Sequence, residues 1–494
     1  MKKKPSQLLI ILLYVFLQPT MLMAQEESCL FPSTPKHEVR AVWLTTLYGL
    51  DWPKTKATNA VTRERQQREL CNILDQLKAC GINMVMLQTR VRGSVIYPSQ
   101  IEPWDVALTG KYDGHPGYDP LSFAIEQCHK RGMELHAWMV SIPAFKVAVA
   151  SKMGKRSLMK THPRLLRKVG DSYFMDPANP VTADYITRIC QEIVSRYDVD
   201  GIHFDYIRYP GDVGEMPDAA DFKKSKARNK ADWRRSNITR IVRQAYTAIK
   251  SLKPWVRVSC APIGKSEDLK RFSAKGWSAH GAGYQDAQGW LRDGIMDMLC
   301  PMMYFKGDHF YPFADDWQER SYGRTVVPGL GIYFLDPSEG NWTLGDIQRE
   351  LTYCRSLGMP GQILFRSKFL TDNPQGLYDY LKTAYYTHPA LVPPMTWQDC
   401  EAPAPPTIIR SERQRGILQH IEWTPQEQEN GGCRYAIYAS STLPVDVYDA
   451  RNLVCVTSSN SYTFNLLTST LYGYHLALTA IDRCGNESRP TPIP

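Results

Sequence analysis

The chain has no Cys-x-x-Cys pair and no histidine cluster at zinc-ligand spacing, which argues against a metal site. It has no Gly-x-Ser-x-Gly elbow, so serine-hydrolase chemistry of that kind is disfavoured. No glycine-rich loop follows the first apolar strand, which counts against a Rossmann fold. Past the N-terminal stretch, no apolar run is long enough to cross a bilayer. Basic runs are scarce as well. The net charge of +9 is spread along the chain, densest at Lys2 to Lys4 and from Lys223 to Lys230. That spacing reads as solvated surface rather than a nucleic-acid footprint. The 12 cysteines are scattered, several of them (Cys71, Cys80, Cys128, Cys190) within helical patterns, and read as small buried hydrophobes. No cofactor is implied.

What is present begins with an export signal. Lys2 to Lys4 form a charged start, Leu8 to Leu17 a short apolar core, and Leu22-Met23-Ala24 a small-residue cut site. Residues 1–24 are therefore expected to be removed, leaving no transmembrane anchor and a periplasmic or secreted protein. A chain of 494 residues exceeds one ordinary core and calls for a large domain plus a smaller one.

Over residues 25–390 short apolar strands alternate with amphipathic helices. Val39 to Thr45 reads as a first strand, and Leu70, Ile73, Leu74 and Leu77 mark a helix closed by Gly81. Further strands are expected at 82–88, 134–139, 201–206, 256–261, 296–304, 325–332 and 362–365. Asp119-Pro120 has the form of an N-cap followed by a first helical residue. Eight strands alternating with helices predict an α/β fold of the (β/α)8 TIM-barrel kind. A Pro-rich linker is expected at 391–406. Residues 407–494 show strand patterns only, predicting a small all-β sandwich with the spacing of a fibronectin type III module. Such a module offers a docking surface for glycan or protein.

The centre of the chain is Asp200-Gly-Ile-His-Phe-Asp-Tyr206. A strand's period of two puts His203 and Asp205 on one face. In a parallel barrel, function gathers at the carboxyl ends of the strands. Trp43, Gln88, Arg90, His136, Trp138, His203, Tyr304 and Tyr333 fall at or near such positions, and Trp104 in the loop after strand two. Trp and Tyr stack on sugar rings, and the polar groups suit sugar hydroxyls. Glycoside hydrolysis generally uses two carboxyl groups. Asp205 is the leading candidate for one, as nucleophile or general acid/base. Asp308, Glu102 and Asp105 are the candidates for the other. The plainer readings are that His136 and His203 are satisfied core histidines, that Trp43 and Trp138 fill the barrel, and that Asp205 caps its loop or pairs with Arg208.

A set of short motifs adds a family resemblance. Arg40-Ala-Val-Trp-Leu-Thr45, Asp51-Trp-Pro53, Gly81-Ile-Asn83, Tyr97-Pro-Ser99, Gly117-Tyr-Asp-Pro120, His136-Ala-Trp138 and Asp200-Gly-Ile-His-Phe-Asp205 occur in order. Together they resemble the glycosyl-hydrolase-like 10 family of bacterial envelope proteins, over about residues 38–385. The resemblance implies a TIM barrel and an exported glycan hydrolase, with peptidoglycan glycan strands as substrate. It implies Asp205 as the catalytic position and Gln88, Trp104, His136, Trp138 and Tyr304 as cleft positions. Three positions depart from the family pattern: Arg92-Gly93 for Asp-Gly, Val140-Ser141 for Asn-Pro, and Tyr206 for a second Asp. These departures motivate an alternative, a non-catalytic glycan-binding protein on a degenerate barrel. A third reading is a structural envelope protein that works through its C-terminal module.

Overall fold

The computed structural model describes residues 34–494 except 212, 275, 415–416, 427–431, 466–470 and 472. The expected export signal lies outside the described residues. Eight parallel strand positions form the centre: β1 (Val39–Leu44), β2 (Met84–Arg90), β3 (Glu134–Val140), β4 (Gly201–Asp205), β5 (Arg257–Cys260), β6 (Met298–Leu299), β7 (Thr325–Val326 with Gly329–Leu330) and β8 (Gly361–Phe365). Each pairs with the next, and β8 returns to pair with β1. The two halves of β7 complete the circuit. Its first half lies on β6 and its second on β8. Val327 N–H also reaches Leu299 O at 2.9 Å, and Met302 bridges Gly329. The sheet is therefore a closed (β/α)8 barrel, as the alternation predicts.

Helices on the outside cover the outward faces of the strands. They include α1 (Ala60–Ala79), α2 (Pro120–His129), α3 (Pro180–Arg196), α4 (Lys230–Leu252), α5 (Ala287–Arg292), α6 (Tyr311–Glu319) and α7 (Leu344–Ser356). Asp119 caps α2 by accepting from Leu121 N and Ser122 N, with Pro120 as the first helical residue. The main apolar core lies between strands and helices, including Val42, Leu44, Leu70, Leu74, Ile202 and Ile241. A second, smaller core fills the barrel, with Ala41, Met86, Cys300, Val327 and Ile363 packed from opposite strands.

Two elements depart from the expected pattern. After β3 the chain forms a small antiparallel sheet of Pro143–Lys146, Leu166–Val169 and Ser172–Met175 before α3 begins. The turn at Gly170-Asp171 folds its last two strands together, with Gly170 at φ 58°. The helix α6 lies in a stretch without an expected helix. Described cysteines are free thiols, most of them buried.

Beyond the barrel, seven described strands form two antiparallel sheets. One contains Ile408–Gln414, Leu418–Trp423 and Ser461–Asn465. The other contains Arg434–Ser440, Leu453–Thr457, His475–Ile481 and Thr491–Ile493. Ile421, Trp423, Tyr435, Ile437 and Leu478 pack in a core of this module. It sits against the amino end of the barrel. Arg434 pairs with Glu134 at 2.8 Å, at the start of β3, and Arg483 pairs with Asp198 at 2.9 Å, just before β4. The residues expected to be a linker are held there too. Arg257 donates to Pro393 O at 2.8 Å, and Trp397 Nε1 donates to Asp297 Oδ1 at 2.9 Å.

Candidate active site

The carboxyl end of the barrel is the opposite end from the C-terminal module. Side chains on alternate positions point inward there, as the pleat requires. From β3 and β4 come Trp138 and Asp205. The indole Nε1–H of Trp138 donates to Asp205 Oδ2 at 3.1 Å. The other carboxyl oxygen accepts from the backbone N–H of Tyr206 at 2.7 Å. That bond is made with Tyr206 in the left-handed region, at φ 49°, a sparsely used conformation for a residue with a side chain. Asp205 keeps only 5% of its surface exposed, and it forms no ion pair among the described residues. Burial pushes its carboxyl above the ordinary range. Arg208, the Tyr206 and Trp138 hydrogen bonds and Arg92 oppose that shift without cancelling it.

His203 lies on the same inward face, two residues earlier. Trp43 Nε1–H can only donate, and it points at His203 Nε2 from 3.0 Å. Nε2 is therefore an acceptor, and the proton sits on Nδ1, 2.9 Å from Ser259 Oγ. Burial, then the neighbouring His136, bring the imidazole's pKa down to about 3, so the ring is neutral. With both nitrogens satisfied, His203 is a fixed brace for Trp43 rather than an acid or base.

Aromatic rings pack around and beneath this end of the barrel. Trp43 meets Tyr304 and Phe365 edge-on, with centroids 6.4 and 5.8 Å apart. Tyr304 meets Tyr333 at 5.7 Å. Burial and the nearby Asp205 charge raise the Tyr304 hydroxyl's pKa well above the ordinary value, so it remains a hydrogen donor. Gln88 organises the loop after β1. Its Oε1 accepts from Thr45 Oγ1, Thr46 N and Leu47 N at 2.8–3.0 Å. Asp51 ties the same loop to the end of β8, accepting from Thr45 N and Ser367 Oγ at 3.0 Å and pairing with Arg366.

Other expected site residues lie elsewhere. Arg90 and Glu102 form a fully buried two-point ion pair, at 2.8 and 2.7 Å. Arg90 also donates to the carbonyls of Val140 and Ser141 at the end of β3, and Tyr185 donates to Glu102 at 3.0 Å. Both are structural clamps. His136 is inward-facing but low in the barrel, 3.2 Å from Glu134 and under the Cα of Gly201. Trp104 is packed in the loop after β2, its ring against His115. Asp105 is buried, accepting from Ser94 Oγ at 2.6 Å and from Ala107 N at 2.8 Å. Asp308 alone of the second-carboxylate candidates is exposed, on the short turn Gly307–His309 past β6.

The family model "Glycosyl hydrolase-like 10" matches residues 38–328. The chain belongs to the glycosyl hydrolase-like 10 family. Among curated relatives, glycosyl hydrolase YngK of Bacillus subtilis (strain 168) is 30% identical over 92% of each chain. Glycosyl hydrolase DigH of Escherichia coli (strain K12) is 36% identical over 68% of this chain and 84% of its own. Among solved structures, the PgaB (BpsB) glycoside hydrolase domain from Bordetella bronchiseptica overlaps 71% of this chain and 98% of that one, with a TM-score of 0.48 and 14% identity. The family match covers most of the barrel, including β1 to β6 and therefore Trp43, Trp138 and Asp205.

Proposed function

We propose that this family member is an active glycoside hydrolase, exported to the periplasm or beyond, that cleaves glycan strands, with peptidoglycan strands the favoured substrate. The observation that carries the reading is Asp205. It is a nearly buried carboxyl at the carboxyl end of β4, held by Trp138 and the Tyr206 N–H, with its proton affinity raised by burial. A carboxyl in that condition suits a general acid. It would give its proton to the glycosidic oxygen as the bond to the anomeric carbon breaks. Water would then supply hydroxide to that carbon and a proton to the second carboxyl group, for which the exposed Asp308 is our candidate. Tyr304 and Tyr333, which are only partly buried, would carry the sugar rings, while Trp43 and Trp138 pack in the barrel core. The periplasmic or secreted location rests on the N-terminal signal pattern, and the peptidoglycan preference on the family resemblance.

A second reading is kept because Glu102 and Asp105 are both committed to structural bonds. If Asp308 does not serve, the barrel binds glycan without cutting it. The test is mass-spectrometric product analysis after incubation with sacculi and with amidase-stripped strands, for wild type and Asp205→Asn. Short glycan products from wild type alone are expected. Co-sedimentation of both proteins with strands, without products from either, would select the binding reading.

A further inference from the structure

Two guanidinium groups lie near Asp205 on different loops, and neither forms an ion pair among the described residues. Arg208 follows β4. It is nine-tenths buried, its Nη1 makes no hydrogen bond, and its Cζ lies 4.1 Å from the centre of the Tyr206 ring. Arg92 follows β2, in the left-handed region at φ 51°, and is half-buried. Neither takes part in an ion pair or donates a hydrogen bond among the described residues, whereas other buried arginines of the barrel, such as Arg90 and Arg234, meet carboxylates directly. Both lie close enough to Asp205 for their charge to act on its carboxyl. Arg92 also lines a cleft between the loops after β1 and β2 and the strand Pro143–Lys146, together with Tyr48, Tyr112 and Lys146. Tyr48 is 64% exposed there, a ring with an open face.

This arrangement is costly for hydrolysis of a neutral sugar. The transition state of glycoside cleavage carries positive charge on the ring. Unneutralised cations beside it raise its energy, and a buried guanidinium without a partner is itself unfavourable. Asp205 has its two oxygens on the Trp138 indole and the Tyr206 N–H, and it forms no ion pair with either guanidinium. Asp105 reaches the same cleft, but it is bonded to Ser94 and the Ala107 N–H, and burial favours its neutral form. The missing group is an anion that arrives with the substrate. A carboxylate fits best, because guanidinium groups bind it through paired, charge-assisted hydrogen bonds.

We propose that Arg208 and Arg92 form a subsite for a carboxylate carried by the sugar that binds against Asp205. The substrate is then an acidic glycan, with its charge on a lactyl ether, as in muramic acid, or at C6, as in a uronic acid. This deepens the glycoside-hydrolase reading and rests on it.

The test uses the full chain as Asp205→Asn, so that binding is read without turnover. Calorimetric affinities are compared for N-acetylglucosamine–muramic acid oligomers with free carboxylates, the same oligomers with the carboxylates reduced to alcohols, and oligogalacturonate. The free acid of at least one series is expected to bind about 10- to 100-fold tighter than its neutral form, the range for a charge-assisted hydrogen bond. The preferred series names the source of the carboxylate. Adding Arg208→Gln or Arg92→Gln should bring the acid-to-alcohol ratio toward one. Arg92 is half-exposed, so its variant keeps the test available if Arg208→Gln does not fold. Equal binding of acid and alcohol forms, or a ratio unchanged in both variants, overturns the carboxylate subsite but not the hydrolase reading. Absence of binding to any glycan overturns both.

Discussion

Trp138 on β3 donates its indole N–H to Asp205 on β4, at 3.1 Å, across two strands whose register sets Trp138 beside His203 and Val140 beside Asp205. The bond holds the carboxyl at the barrel mouth, while burial keeps its proton affinity high. Function and stability therefore oppose one another at this residue. Asp205→Asn is expected to abolish glycan cleavage and to stabilise the fold. The sign follows from linkage. An unfolded Asp titrates near pH 4, and the folded one above it, so the wild type loses stability as pH rises between the two values. The melting temperature of Asp205→Asn should match that of the wild type below about pH 4 and exceed it at pH 7. An equal or lower melting temperature at pH 7 would contradict the assignment.

His203 should be silent across the physiological range. Its Nε2 accepts from Trp43, and its pKa is down at about 3. Nitrogen-resolved NMR of the ring is expected to show a neutral imidazole protonated at Nδ1, with unchanged shifts between pH 8 and pH 5. Titration in that window would restore His203 as an acid–base candidate. It would also mean that Trp43 is not held as described.

The two acidic candidates in the loops after β2 and β6 separate cleanly by what their loss should do. Glu102→Ala leaves Arg90 as an uncompensated charge in a dry site, at a cost of about 3–5 kcal/mol of stability. Asp308 is exposed, so Asp308→Asn should change stability by no more than about 0.5 kcal/mol. If Asp308 is the second carboxyl group, the same variant should lower kcat by about 100-fold or more. Denaturation midpoints and kcat measured on both variants check this directly. A stable Glu102→Ala with lost activity would exchange their roles.

Much of this was legible in the sequence because local rules and the fold agree. Asp119-Pro120 starts its helix, and the period of two puts His203 and Asp205 on one inward face. What stayed hidden depends on partners distant in the chain. Arg90 looked like a cleft residue because a charged side chain at a strand's end is usually solvated or functional. Its own signal was a buried strand position that requires a carboxylate, and Glu102 supplies it. The small sheet after β3 carried a readable sign in the Gly170-Asp171 turn between two apolar runs. Nothing local could show that Arg434 would meet Glu134, 300 residues away.

That last contact makes the C-terminal module part of the barrel's stability. Burial alone would raise the Glu134 carboxyl, but the Arg434 guanidinium and the His136 hydrogen bond outweigh it and bring it down to about 2. An unfolded Glu titrates near pH 4.3, so the pair contributes about 3 kcal/mol above that pH, lost as pH falls toward 2. Breaking a buried ion pair by removing one partner costs a similar amount. Arg434→Ala should therefore lower the denaturation midpoint at pH 7 by about that much. Without Arg434, burial dominates and favours protonated Glu134 instead. The gap between wild type and variant should then narrow steadily as pH drops from 6 to 3. A gap that stays constant with pH would show that Arg434 acts through packing, and that charge at the amino end of the barrel does not hold the two parts together.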